Sequence, residues 1–251
     1  MTPPKITFLM PIFNGEEIML RTAIRTAANQ AYPNLDLVLI DNGSTRATTL
    51  EIEKEAKERW PDRVVLTHEN EKRGTAYALD AGLRIADKDT VYFSKGDGDD
   101  IFHKDREANR VKLFETLPPQ VAGVYDNFLQ LVYWPRPHVL PVILRPYDYR
   151  AHVNESYVHG NTMWRASVYE KIPKTFVYDG YENPKANRHA EDYAHWLAIG
   201  DHWDFFWMNC DPAYSWVYRV YRDSKYHKDR RGVDYARSLV QHVAKERRGL
   251  L

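Results

Sequence analysis

Three carboxylates crowd into four residues at Asp97-Gly98-Asp99-Asp100, two residues after the strand-like run Val91-Tyr92-Phe93-Ser94. Two acids one residue apart on an extended or turning backbone can face one ligand, and Gly98 between them has no side chain to obstruct it. Hard divalent cations suit such a pair. Mg²⁺ and Mn²⁺ prefer oxygen ligands, and Mg²⁺ commonly takes one or two protein carboxylates together with substrate phosphates. For these four residues alone, a solvated Asp/Gly turn is the alternative. A calcium loop starting at Asp97 is excluded, because it needs Gly at its sixth position and Glu at its twelfth, where Phe102 and Ala108 stand.

The elements that must position these acids show in the apolar pattern. Short apolar runs alternate with longer amphipathic ones through roughly the first hundred residues, as in repeated βαβ units around a mostly parallel sheet. The pattern predicts strands over Lys5 to Phe13, Leu35 to Ile40, Val64 to Thr67 and Thr90 to Phe93. Helices are expected over Glu16 to Gln30, with Ile18, Ala23, Ala27 and Ala28 inward, and over Thr49 to Arg59 and Thr75 to Ala86. A helix over Lys104 to Leu117 and a strand over Gly123 to Tyr133 follow, then a proline-rich excursion or edge segment from Trp134 to Pro146. The remainder reads as a short strand at Gly160 to Trp164, a helical turn at Arg165 to Lys171 and a helix at Ala190 to Ile199. Strands within Phe205 to Met208 and Ala213 to Tyr221 and a terminal helix at Val233 to Arg248 complete the order.

Ligands of open α/β sheets sit outside the carboxyl ends of the strands. The segments Asn14-Gly15-Glu16, Asp41-Asn42-Gly43-Ser44 and Asp97-Gly98-Asp99 follow the first, second and fourth strands and should meet in one crevice. All three are polar, acidic or glycine-bearing, which suits a nucleotide phosphate. No Gly-x-Gly-x-x-Gly follows the first strand and no phosphate-cradling Gly-x-x-x-x-Gly-Lys occurs, so the phosphate would be held through a metal.

A chain of 251 residues is long enough for one large α/β domain with an extension. Lys+Arg and Asp+Glu balance at 35 each, but residues 219 to 248 hold ten basic side chains against four acids, a net of +6. Either a solvated basic helix face or contact with an anionic surface explains that tail. Cys210 is the only cysteine, which rules out an intrachain disulfide; within an aromatic run it reads as a small core residue. No apolar stretch approaches the roughly 20 residues of a membrane span and no secretion signal opens the chain, so the expectation is a soluble, cytoplasmic protein.

The residues also resemble the family 2 glycosyltransferases of GT-A fold, in five blocks that occur in order. Phe8-Leu9-Met10-Pro11-Ile12-Phe13-Asn14-Gly15-Glu16 is similar to that family's first strand and turn, and Ala31 through Asp41-Asn42-Gly43-Ser44-Thr45 to its second. Asn70, Arg73-Gly74, Ala78, Asp80, Gly82 and Ala86 match its third block, Asp97-Gly98-Asp99-Asp100 its metal motif, and Glu191-Asp192 its catalytic acidic pair. The resemblance implies an α/β GT-A domain over 1–217, with a nucleotide-binding half to 117 and an acceptor half after it, and a basic helical extension over 218–251. It implies transfer of a sugar from a nucleoside-diphosphate sugar, UDP-linked by preference, to a saccharide or other acceptor hydroxyl, with inversion and with Mn²⁺ or Mg²⁺. Asp99 would hold the metal and Asp97 the ribose and the metal. Asp41 would accept from the base, with Pro11, Phe13, Asn14, Glu16 and Gly98 lining the donor pocket and Arg73 either beside the nucleotide or a plain surface residue. Asp192 would be the general base and Glu191 its neighbour, although two acids in a first helical turn also suit the helix dipole.

Trp164, Trp196 and Trp216 are candidates for stacking on sugar faces or for core packing. Some positions depart from the family pattern. Lys95-Gly96 stands where apolar residues are usual, so the fourth strand is expected to end early or bulge. Asn42 replaces an acid, and Tyr221 stands near a metal-binding His of some relatives, with His227 as a possible substitute. The basic tail and its tyrosines also allow a hydroxylated base in nucleic acid as acceptor, and a sugar-nucleotide-binding module without catalysis is the third reading.

Overall fold

The structure, a computed structural model, describes residues 2–134, 136–178, 190–221 and, near the C-terminus, Asp234, Tyr235, Arg237, Ser238, Val240, Gln241, His242 and Lys245. Strands β1 (Lys5–Ile12), β2 (Leu35–Asp41), β3 (Val64–His68) and β4 (Thr90–Lys95) alternate with helices α1 (Glu17–Ala28), α2 (Ala47–Arg59) and α3 (Thr75–Ile85). There follow β5 (Ile101–Phe102), α4 (Arg106–Phe114), β6 (Val121–Asp126), β7 (Phe128–Val132), β8 (His138–Val142), α5 (Tyr149–Asn154), β9 (Met163–Arg165), α6 (Glu191–Gly200), β10 (Asp204–Met208) and β11 (Trp216–Val220). The described residues between 234 and 245 are helical.

A seven-stranded sheet runs β10-β6-β9-β4-β1-β2-β3, and only β9 is antiparallel to its neighbours. Because β1 lies between β2 and β4, the carboxyl ends of all three open on one side. Strands buried on both faces need apolar residues at every position, which is why these elements read as continuous runs. Ile6, Phe8, Met10 and Ile12 of β1 pack on one side with Leu20, Ala23, Ile24, Ala27 and Ala28 of α1. Leu9 packs on the other with α3 and with Trp164, Trp196 and Phe205. Ile18, expected inward, is exposed; the buried face of α1 starts at Leu20.

The stretch Gly123 to Tyr133 is two strands, not one. The chain leaves the main sheet at Asn127, whose side-chain amide donates to the Asn209 side chain and the Cys210 carbonyl and accepts from Leu144 N and Trp207 Nε1. From there β7 joins a second, four-stranded sheet, β5-β11-β7-β8, with the proline-rich segment as its edge. Lys95-Gly96 does not cut β4 short: Lys95 ends the strand, and Gly96 N still bonds Leu9 O at 3.1 Å. Cys210 is half-buried rather than part of the core.

Candidate active site

At the mouth of β1 and β2, two loops are stitched together. Asn14, a non-glycine residue in the left-handed region (φ 47°), uses its side-chain oxygen to accept from Thr45 N at 2.8 Å and Arg46 N at 2.9 Å. Asp41 is buried and accepts from Ser44 N at 3.0 Å, with His68 Nδ1 at 3.3 Å. Asn42 accepts Arg73 N at 3.1 Å, so the residue that replaces an acid anchors the loop before α3. The Arg73 guanidinium lies 4.4 Å from the Tyr77 ring centre, and Lys72 covers the exposed Phe13 ring at 3.7 Å. Glu16 caps α1 by accepting from Met19 N. Pro11 is the next-to-last residue of β1, and a Cβ at Gly98 would lie 3.7 Å from its carbonyl oxygen.

After β4 the three motif acids separate. Asp97 keeps 43% of its side chain exposed, and its carboxylate accepts from Lys95 Nζ at 3.0 Å. Asp99 accepts from the Tyr221 hydroxyl at 3.1 Å, and its carbonyl accepts from Arg219 Nε. Burial, reinforced by the charge of Asp97, raises the Asp99 pKa, and burial together with Asp99 pushes the Tyr221 hydroxyl up to about 12. Asp100 is wholly buried and accepts from Asn161 Nδ2 at 2.7 Å; burial and its two neighbouring acids raise its pKa far above the usual carboxylate range.

Lys95 connects this motif to α6. Its ammonium, 1% exposed, also lies 3.4 Å from Asp192 Oδ2, so one buried cation joins the first motif acid to the second residue of the helix. Burial drives the Asp192 carboxyl up, Lys95 opposes the rise, and Glu191 and Asp97 add to it, leaving its pKa at about 7. Desolvation works against the Lys95 charge, yet Asp192, Asp97 and Glu191 together outweigh it and keep the ammonium protonated. Gly160 gives this pair its room: a Cβ there would collide with the Asp192 carboxylate and come within 3.0 Å of Lys95 Nζ.

A cleft of about 490 Å³ opens over these groups, lined by Asp97, Asp100, Asn161, Glu191 and Asp192 together with Phe128, Trp216 and Tyr218. Phe128 and Trp216 stack at 4.4 Å and form an aromatic wall. Of the three tryptophans considered for stacking, Trp164 and Trp196 are fully buried core residues, and Trp216 borders the cleft. The cleft thus joins the carboxylate of Asp97, a carboxyl that ionises near neutrality and an apolar wall, groups that can hold a charged leaving group and take a proton from a hydroxyl beside it.

Comparison with known proteins identifies the lineage. The model of glycosyl transferase family 2 matches residues 7–173. The chain belongs to that family. It is 30% identical over 232 residues to the putative glycosyltransferase EpsE of Bacillus subtilis, covering 90% of this chain and 76% of that protein. It is 35% identical to the glycosyltransferase GlyA of Streptococcus pneumoniae over 49% of this chain, but spans only 17% of that protein. Among solved structures, the mannosyltransferase PcManGT of Pyrobaculum calidifontis, in complex with GDP-Man and Mn²⁺, superposes with a TM-score of 0.69 at 25% identity, over 98% of this chain and 65% of that one. S. aureus TarS in complex with UDP-GlcNAc gives a TM-score of 0.67 at 13% identity, over 89% of this chain and 60% of that one, a likeness of fold. The α/β fold with its mixed, helix-flanked sheet is that of the GT-A glycosyltransferases.

Beneath the site this glycosyltransferase carries buried charges that sequence patterns did not expose. Arg110 binds Asp126 in a fork at 2.7 and 2.8 Å, and Arg106 and Arg110 both donate to the Asn161 carbonyl. Glu107 pairs with Arg106, and all four charged side chains are fully buried. His159 accepts Asn161 N at 3.1 Å through Nδ1 and turns Nε2 to the Asp126 carbonyl at 2.9 Å; burial lowers its pKa to about 4, so it stays neutral. Glu53 of α2 is the other surprise, buried beside Asp41 with neither oxygen hydrogen-bonded, and burial raises its pKa to about 8. The spacing of Arg106, Glu107 and Arg110 along one helix was the available signal. His227, Tyr226 and most of the basic tail lie outside the described residues, so the nucleic-acid reading gains no structural support. Arg237 reaches the cleft lining.

Proposed function

We propose that the protein transfers a sugar from a nucleoside-diphosphate donor, UDP-linked by preference, to an acceptor hydroxyl with inversion, and that Asp192 is the general base. One observation carries this reading: Asp192 stands at the first turn of α6 in the cleft, 26% exposed, coupled through Lys95 to the first acid of the metal motif. Asp97 and Asp99 fit a hard divalent ion, since both offer carboxylate oxygen and the Asp97 charge that adds to burial in raising Asp99 is of the kind a cation relieves. A bound Mn²⁺ or Mg²⁺ would supply Lewis-acid stabilisation of the leaving diphosphate. Relatives bound to UDP-GlcNAc and to GDP-Man and Mn²⁺ support the donor class.

In this scheme the acceptor oxygen attacks the anomeric carbon from the face opposite the diphosphate. The bond to the diphosphate oxygen breaks, and the acceptor proton passes to Asp192 Oδ. Phe128, Trp216 and Tyr218 present an apolar face to the acceptor, Asp41 accepts from the donor base, and Pro11 and Phe13 flank it. The test is nucleoside diphosphate release with Mn²⁺ and a panel of UDP-, GDP- and dTDP-sugars. Asp192→Asn should bind donor normally and lose transfer, and Asp99→Ala should lose Mn²⁺-dependent donor binding. Full transfer by Asp192→Asn would remove the proposed base, and unchanged metal dependence in Asp99→Ala would remove the metal site.

A further inference from the structure

The hairpin β7–β8 and the residues that flank β8 carry five of the exposed large apolar side chains among the described residues. Tyr133, Trp134, Val139, Leu140 and Ile143 all lie in the open, Trp134 and Ile143 at 60% and 59%. Consecutive residues of β8 project to opposite faces, and both Val139 and Leu140 are exposed, so this strand stands clear of the body instead of covering it. An exposed apolar edge of this kind normally marks an interaction surface.

Its charge selects the occupant. Between Asp126 and Asp148 there is no acidic residue, while Arg136 and Arg145 contribute positive charge; Arg145 is paired with Glu155, which leaves Arg136 available beside Trp134. Apolar side chains, an exposed Trp and Tyr at the strand end and an adjacent Arg without neighbouring acids suit the boundary of an anionic bilayer, where aromatic rings sit at headgroup level. Pairing with the same edge of a second copy fits less well. Pro141 lies in the middle of β8 opposite Leu129 and can supply no N–H to an added strand. No helix among the described residues is long and apolar enough to cross a membrane.

We propose that the tip and edge of the β7–β8 hairpin dock the protein on an anionic lipid surface. The cleft lies close by, because β7 contributes Phe128 and Gln130 to its wall and pairs directly with β8. The inference is independent of the donor, metal and base assignments.

Flotation of the full chain with vesicles tests it, using phosphatidylcholine alone and phosphatidylcholine with about 30% phosphatidylglycerol at low salt. The protein should float with the anionic vesicles, and the triple variant W134S/L140S/I143S should lose at least about tenfold in partitioning while keeping its thermal midpoint. Arg136→Gln should weaken binding about fivefold on anionic vesicles and leave neutral ones unaffected. Absence of vesicle binding by the unaltered chain, or equal flotation of the triple variant, overturns the proposal. So does a dimer in sedimentation equilibrium that the same three substitutions dissolve, since the face would then belong to a second copy.

Discussion

Replacing Lys95 by Met removes the one buried cation between Asp97 and Asp192 while keeping the volume of the side chain. At 3.4 Å the ammonium and the Asp192 carboxylate interact by about 5 kcal/mol at an effective dielectric of about 20. At about 1.36 kcal/mol per pKa unit that is an upper bound of roughly three and a half units, and water entering the vacated space should leave about two. The Asp192 midpoint should therefore move from about 7 to about 9. Transfer requires the carboxylate, so the rate falls on the acid side of the midpoint. At pH 7.5 the ionised fraction drops from about three-quarters to about 3%, a loss of about 25-fold in kcat that alkaline pH should restore. The assay is nucleoside diphosphate release at saturating donor from pH 6 to 10, with melting curves to establish folding. An unmoved midpoint, or a loss equal at every pH, would show that Lys95 does not set the ionisation of Asp192.

Gly160→Ala should displace the Asp192 carboxylate and lower kcat by about 100-fold, with donor affinity by calorimetry nearly unchanged. Glu53→Gln should stabilise the fold above neutrality. Native Glu53 keeps its proton from about 4.5 to about 8 while the unfolded chain has lost it, so stability falls as pH rises through that window; calorimetry should find a gain of about 3 kcal/mol at pH 8, shrinking below about 1 kcal/mol at pH 5. Arg110→Met strands the Asp126 charge in the interior and should cost about 3–5 kcal/mol in denaturant unfolding, whereas the double change with Asp126→Leu should recover much of it.

The half of the fold that carries β1 to β4 was legible because parallel strands covered on both faces need unbroken apolar runs, and their polar ends mark the site. The second sheet was not. Its strands are short and partly exposed, and its closure depends on pairing Ile101-Phe102 with Trp216-Val217, far apart in sequence. The break at Asn127 had no local mark, because four hydrogen bonds from distant residues make that corner. Lys95 read as an interruption of an apolar strand for the same reason. Its second partner, Asp192, lies 97 residues further on. Glu53 read as one more polar position of an amphipathic helix, since only the fold puts it against Asp41.

The motif Asp97-Gly98-Asp99-Asp100 looks like three equivalent ligands in sequence, but its surroundings divide the roles. Burial and the two acids before it push the Asp100 pKa well above the usual carboxylate range, and Asn161, itself gripped by Arg106 and Arg110, donates to it. Those two cations are already matched by Glu107 and Asp126, so the layer beneath the cleft has no charge left to attract a metal. Asp99 is pinned through its carbonyl by Arg219 and through one carboxylate oxygen by Tyr221. Asp97 alone faces both the cleft and Lys95. An added cation would therefore meet Asp97 and Asp99, and by drawing on Asp97 it would leave Lys95 more fully to Asp192. On that account metal binding and ionisation of the base are coupled in part through one lysine, and Mn²⁺ should lower the pH midpoint of transfer more in the unaltered enzyme than in Lys95→Met, where only relief of the Asp97 charge remains.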